Sequence, residues 1–136
     1  MKKTTSFIII LLSLAETSYA SSKDAVNKTP CMGLSHSVEI SECMINLAES
    51  KKINYKKEYE NYLETVTTEE ERPFDKKVIA KLVKEARENW EVYIEKECLA
   101  EASVYEEGNS PYIFSYNYCL IKHYEERIKY YRENKF

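Results

Sequence analysis

Val78 to Cys98 reads VIAKLVKEARENWEVYIEKEC, and its side-chain periodicity sets the fold class. Wound at about 3.6 residues per turn, it gathers Ile79, Leu82, Val83, Ala86, Trp90, Tyr93, Ile94 and Glu97 on one side. Lys81, Lys84, Glu85, Glu88, Glu91, Glu95 and Lys96 fall mostly on the other. That is an amphipathic helix with a broad apolar stripe. It holds the only tryptophan and ends on a cysteine that needs a partner.

Outward from this helix the punctuation is sparse. Upstream, Thr67 to Pro73 (TTEEERP) closes a preceding helix: acidic side chains are unfavourable at a helix C-terminus, and the residue before a proline avoids helical backbone. Asp75 is placed to cap the Trp90 helix. Downstream that helix is expected to reach about Tyr105 and stop at Glu107-Gly108-Asn109. Ser110-Pro111 restarts the chain, with serine as cap and proline at the first helical position. The last helix then carries Tyr116, Cys119, Leu120, His123, Tyr124, Arg127, Ile128 and Tyr131 on one flank.

The first helix is expected from about Val38 to Val66, capped by Ser35 or Ser37, with Glu39 and Glu42 in its first turn. Its stripe runs through Ile40, Cys43, Met44, Leu47, Tyr55, Tyr59, Tyr62 and Val66 and weakens between Lys51 and Asn54, where a kink or break is expected. With only 2 glycines and 3 prolines in 136 residues, and 12 tyrosines, the composition favours long helices over strands. The expectation is one all-α domain of three long antiparallel helices over residues 31–136.

The N-terminus belongs to another task. Lys2 and Lys3 precede an apolar run from Phe7 to Leu14, and Ser18-Tyr19-Ala20 is a small-x-small cleavage site, so residues 1–20 read as a secretory signal peptide. The apolar run is shorter than the ~20 residues that span a bilayer, and Ser21, not cysteine, follows the proposed cut. No membrane anchor is expected after cleavage, and residues 21–30 read as a flexible leader. Losing Lys2, Lys3 and Glu16 leaves 18 basic and 22 acidic side chains, a net charge of −4 that argues against nucleic acid as partner.

Four cysteines in an exported chain imply two disulfides. If the second and third helices form an antiparallel hairpin, residue numbers at equal height add to a constant. Cys98 and Cys119 give the same sum as Gly108 and Asn109 at the turn, so they face each other, and Cys31 is left to pair with Cys43. There is no C-x-x-C, which sets zinc aside. His36 reads as a solvated residue near a helix start and His123 as a structural one on the flank of Cys119. No nucleophile motif, phosphate loop or cofactor motif is present, so neither an enzyme nor a cofactor is expected. Trp90, Tyr93, Tyr59 and Ala86 are the expected core anchors.

The run from Ala86 to Cys98 resembles the signature of the LprI-type lysozyme inhibitors, small exported bacterial helical domains whose pattern runs approximately A-Q-R-x-W-x-x-Y-R-D-x-E-C. Ala86, Trp90, Tyr93, Glu97 and Cys98 match it, and Glu95 stands where aspartate is usual. The resemblance extends over about Cys31 to Tyr131. It takes in Cys31 and Cys43, Tyr59 in the place of the family's L-N-x-x-Y tyrosine, the turn at Glu107-Gly108-Asn109, Cys119 and Arg127. Glu88 and Ile94 replace two usual arginines, Lys56 an asparagine and Tyr124 a threonine. The resemblance implies a non-catalytic protein of the periplasm or exterior that binds and occludes a lysozyme, with an envelope interaction or structural module as the alternative. The loop from Glu106 to Tyr112, with Glu107, Asn109, Ser110 and Tyr112, is the candidate binding loop.

Overall fold

The computed structural model describes residues 30–68 and 75–134; the expected signal peptide and, apart from Pro30, the leader lie outside them. A short 3-10 turn, Pro30–Gly33, leads into three helices, α1 (Ser37–Thr68), α2 (Lys76–Ala102) and α3 (Ser110–Glu133). The all-α, three-helix expectation is met. Successive helices are antiparallel, which leaves α1 and α3 parallel to each other. These two share the largest interface, and α2 lies mainly against α3.

α1 is continuous for 32 residues, about 48 Å at 1.5 Å per residue. No break occurs at Lys51, contrary to the sequence expectation. The lysine lies half-buried along the bundle and its ammonium meets Glu125 of α3 at 2.6 Å, so the polar gap in the stripe is bridged to a neighbour. Asp75 caps α2 as expected, its carboxylate accepting from the backbone N–H groups of Lys77 and Val78. α2 ends at Ala102, one turn short of Tyr105, with the Ser103 N–H closing on Leu99. At α3 the cap is Asn109 rather than Ser110: its side-chain oxygen accepts from the Tyr112 N–H at 2.9 Å. Asparagine wins because Gly108, at φ 82°, turns the chain one residue earlier.

The main core is built from tyrosine. Tyr55, Tyr59 and Tyr62 of α1 interleave with Tyr124, Ile128 and Tyr131 of α3, and Ile94 of α2 closes the cluster. Tyr131 is the hub, 4.8 Å from Tyr62, 5.8 Å from Tyr59 and 6.0 Å from Tyr55 between ring centres. Such pairs each add roughly 0.5–1.5 kcal/mol beyond the burial of their area. A second, smaller cluster at the other end joins Cys31, Met44, Ala48 and Ile121, with Phe114 and Tyr118 packed on it.

Two of the four expected anchors are not in the core. Tyr59 is fully buried, and Trp90 packs on the edge of the cluster, 5.0 Å from Tyr55. Tyr93 is 53 % exposed and Ala86 faces solvent. The buried seam of α2 is Ile94, Cys98 and Ala102, continued by half-buried Val83, Arg87 and Trp90. Tyr93 and Ala86 each sit one residue, or about 100° of helix turn, off that line. A helix packed mainly on one neighbour buries a narrow stripe, narrower than the apolar stripe in its sequence.

The disulfides join Cys31 to Cys43 and Cys98 to Cys119, with Cα separations of 5.7 and 5.4 Å. They span 12 and 21 residues, and the loop-entropy relation assigns each about 3 kcal/mol. Replacing Cys98 and Cys119 by serine should lower the free energy of urea unfolding by about that amount while the tyrosine core and helix content persist; circular dichroism during urea titration measures both.

Candidate functional site

The disulfide-bonded end carries a braced turn with an apolar groove beside it. The Cys98–Cys119 bridge joins the last turn of α2 to α3 and holds the connection between them. That connection is hydrogen-bonded along its length. Ser103 Oγ donates to the Leu99 carbonyl at 2.6 Å, Tyr105 N–H to Ala102 and Asn109 N–H to Glu106. Held in this way, the turn exposes Val104, Tyr105, Glu106 and Glu107.

The four candidate loop residues therefore divide. Glu107 is exposed and available. Asn109 commits its side chain to capping α3, and Ser110 and Tyr112 are half-buried in the first turn of that helix. Val104 and Tyr105, which helical periodicity assigned to the end of α2, are instead on the turn because α2 stops early. Beside the turn lies a groove of about 400 Å³ lined mainly by Met32, Ile40, Tyr105, Pro111, Phe114 and Tyr118.

A second feature flanks the bridge. Glu97 Oε2 is shielded from solvent, makes no well-aligned hydrogen bond, and lies 2.9 Å from His123 Nε2. The Tyr93 ring meets His123 edge-on at 6.2 Å. Its hydroxyl bonds to Glu97, which holds the phenol above its ordinary range. Cys98, Cys119 and His123 place ligand atoms within 4.8 Å of one another, but the two sulfurs are bonded to each other and offer no thiolate for a metal.

At the waist, between α1 and the other two helices, a cleft of about 520 Å³ is lined by Glu49, Lys52, Lys56, Arg87, Glu91 and Tyr124, among others. Two of its charges, Arg87 and Glu91, are tied to the core. Arg87 Nε donates to Glu91 at 2.9 Å, Tyr55 donates to the same carboxylate at 3.2 Å, and the Arg87 guanidinium lies 4.3 Å over the Tyr59 ring. The i,i+4 spacing of Arg87 and Glu91 fits an ion pair, but nothing in the spacing marked their link to Tyr55, which lies on another helix. An apolar groove of about 380 Å³ at the far end includes Tyr62, Leu82 and Ala86 in its lining.

The family model described as lysozyme inhibitor LprI matches residues 15–130. The chain belongs to the LprI lysozyme-inhibitor family. No curated protein and no solved structure matches it significantly. On the fold, the residues matching the LprI signature do scaffold work. Trp90 packs against Tyr55, Cys98 bridges to α3, and Glu97 and Tyr93 clasp His123 beside the bridge. Of Ala86, Trp90, Tyr93, Glu97 and Cys98, only Ala86 and Tyr93 are exposed. Among the described residues, no helix is long and apolar enough to cross a membrane.

The tyrosine core has a measurable signature in alkali. Burial, aided by nearby carboxylates, pushes the Tyr124 phenol up to about 12. Burial raises Tyr55 and Tyr62 further still. Because the folded state favours the neutral phenols, their stabilisation is complete below the unfolded value of about 10 and is lost as pH rises from there through the folded values. Thermal midpoints should therefore fall above about pH 10, with phenolate absorbance of Tyr124 appearing only near pH 12 or on unfolding. All tyrosines titrating together near pH 10 with helices intact would contradict this core.

Proposed function

We propose that this protein is exported through cleavage after Ala20 and inhibits a lysozyme by covering its cleft, with no chemistry of its own. The match to the lysozyme-inhibitor family over residues 15–130 carries the reading. Two disulfides support an oxidising destination such as the periplasm or the exterior. The turn braced by Cys98–Cys119 supports occlusion: a rigid protruding loop loses little conformational freedom when it enters a cleft. In this reading Glu107 and Tyr112 contact the enzyme, while Asn109 and Ser110 hold the loop in shape.

A second reading has one specific observation in its favour. Glu88 is exposed where the family usually has arginine, and Lys56 is exposed where asparagine is usual, so part of the outer surface differs; the other two departures, Ile94 and Tyr124, lie in the core. The same bundle would then serve a different envelope protein as an interaction module.

The purified chain lacking residues 1–20 should slow lysis of a bacterial suspension by lysozyme in a concentration-dependent way at micromolar levels. Glu107→Ala combined with Tyr112→Ala should weaken inhibition about tenfold, the loss of one modest hot spot. Unchanged lysis at high micromolar concentration, against more than one lysozyme class, rejects the inhibitor reading. A partner other than lysozyme recovered from envelope extract would favour the second.

A further inference from the structure

The groove beside the α2–α3 turn is open apolar surface. Met32 and Tyr105 on its lining are exposed, and Leu34, Val38 and Val104 add further exposed apolar side chains at the same end. Charge is sorted along the bundle in a way that bears on what covers this surface. Residues 30–50 and 97–121 form the disulfide-bonded end and contain 7 glutamates with no lysine or arginine. The glutamates are residues 39, 42, 49, 97, 101, 106 and 107. The remaining described segments, 51–68, 75–96 and 122–134, carry 14 lysines and arginines against 11 acidic side chains. Lys122, the first base beyond this end on α3, is drawn to Glu101 at 4.0 Å. The far-end groove has comparable apolar lining but sits in the half that holds all these bases, with Arg127 on its wall.

We infer that the disulfide-bonded end is the docking face for a basic protein. An apolar or aromatic side chain of the partner seats in the groove between Tyr105, Pro111 and Phe114, and its surrounding lysines and arginines meet the glutamates. The apolar contact supplies affinity and the one-signed field supplies orientation and association rate. The segregated charge also steers: the glutamates of this end are opposed by no lysine or arginine in the same segments, whereas those of the other described segments are matched by bases. The choice of lysozyme as that basic partner rests on the inhibitor reading above; the choice of face does not.

Binding to a basic C-type lysozyme and to cytochrome c, a basic protein without lytic activity, is measured by calorimetry at low and physiological salt. Glu106→Lys with Glu107→Lys reverses two charges at the docking face; Glu64→Lys with Glu88→Lys makes the same net change at the other end. The first variant should lose at least tenfold in affinity and much of the salt dependence, and the second should stay within about twofold of wild type. Tyr105→Ser with Met32→Ser, both at exposed positions, should weaken lysozyme binding at least tenfold without altering its salt dependence. Circular dichroism confirms that each variant is folded.

Equal losses from the two charge reversals, or no binding of either basic protein by wild type, overturn the proposed face. So does a dimer in sedimentation that the Tyr105→Ser, Met32→Ser variant dissociates while binding to basic proteins is kept. Binding with the expected end-dependence but unchanged lysis leaves the face standing and removes the inhibitor reading.

Discussion

Everything in this bundle depends on filling the parallel α1–α3 seam with tyrosine. A phenol ring buries as much area as a large aliphatic side chain but brings a hydroxyl that must be satisfied. Tyr55, with no exposed surface, meets that demand by donating to Glu91 on α2. Tyr131 accepts from Arg127 Nε at 3.3 Å. The aromatic seam therefore reaches outward to charged residues at its edges, and Arg87 and Glu91 of α2 are tied to it there. Arg127 shows the economy of the arrangement: its guanidinium lies about 5 Å from the rings of Trp90, Tyr130 and Tyr131.

The two ends of the molecule are stabilised by different physics. Around Tyr131 the chain relies on rings and on Arg132, which reaches Glu58 of α1 at 2.7 Å. The Arg132 guanidinium holds that carboxyl below its ordinary range. Around Met44 the cluster is small, and two covalent links stand in for the missing area. Covalent bracing leaves that end free to expose apolar surface that an unbraced end would need for its own core.

Much of the fold was legible because it rests on local rules. Helix number, the Asp75 cap, the turn at Gly108 and both cysteine pairings follow from short-range chemistry and from the geometry of a hairpin. The candidate site was legible only in part. Glu107 could be read from its turn, but Tyr105 and Val104 could not, since their place on the surface depends on α2 ending at Ala102. The groove was not legible at all: it needs Met32, Tyr105 and Phe114 to meet from three separate segments.

The sequence alone settled three amphipathic helices, their order, the two covalent pairs and, through the match over residues 15–130, the family. It did so because periodicity, capping and cysteine spacing act within one helix or one hairpin. Only the tertiary structure decided that α1 and α3, not the tryptophan-bearing helix, form the principal seam. It also turned Tyr93 and Ala86 outward and gathered the glutamates of residues 30–50 and 97–121 at one end. Those outcomes depend on which helix neighbours which, and a stripe wider than the interface it serves does not say which of its residues will be covered.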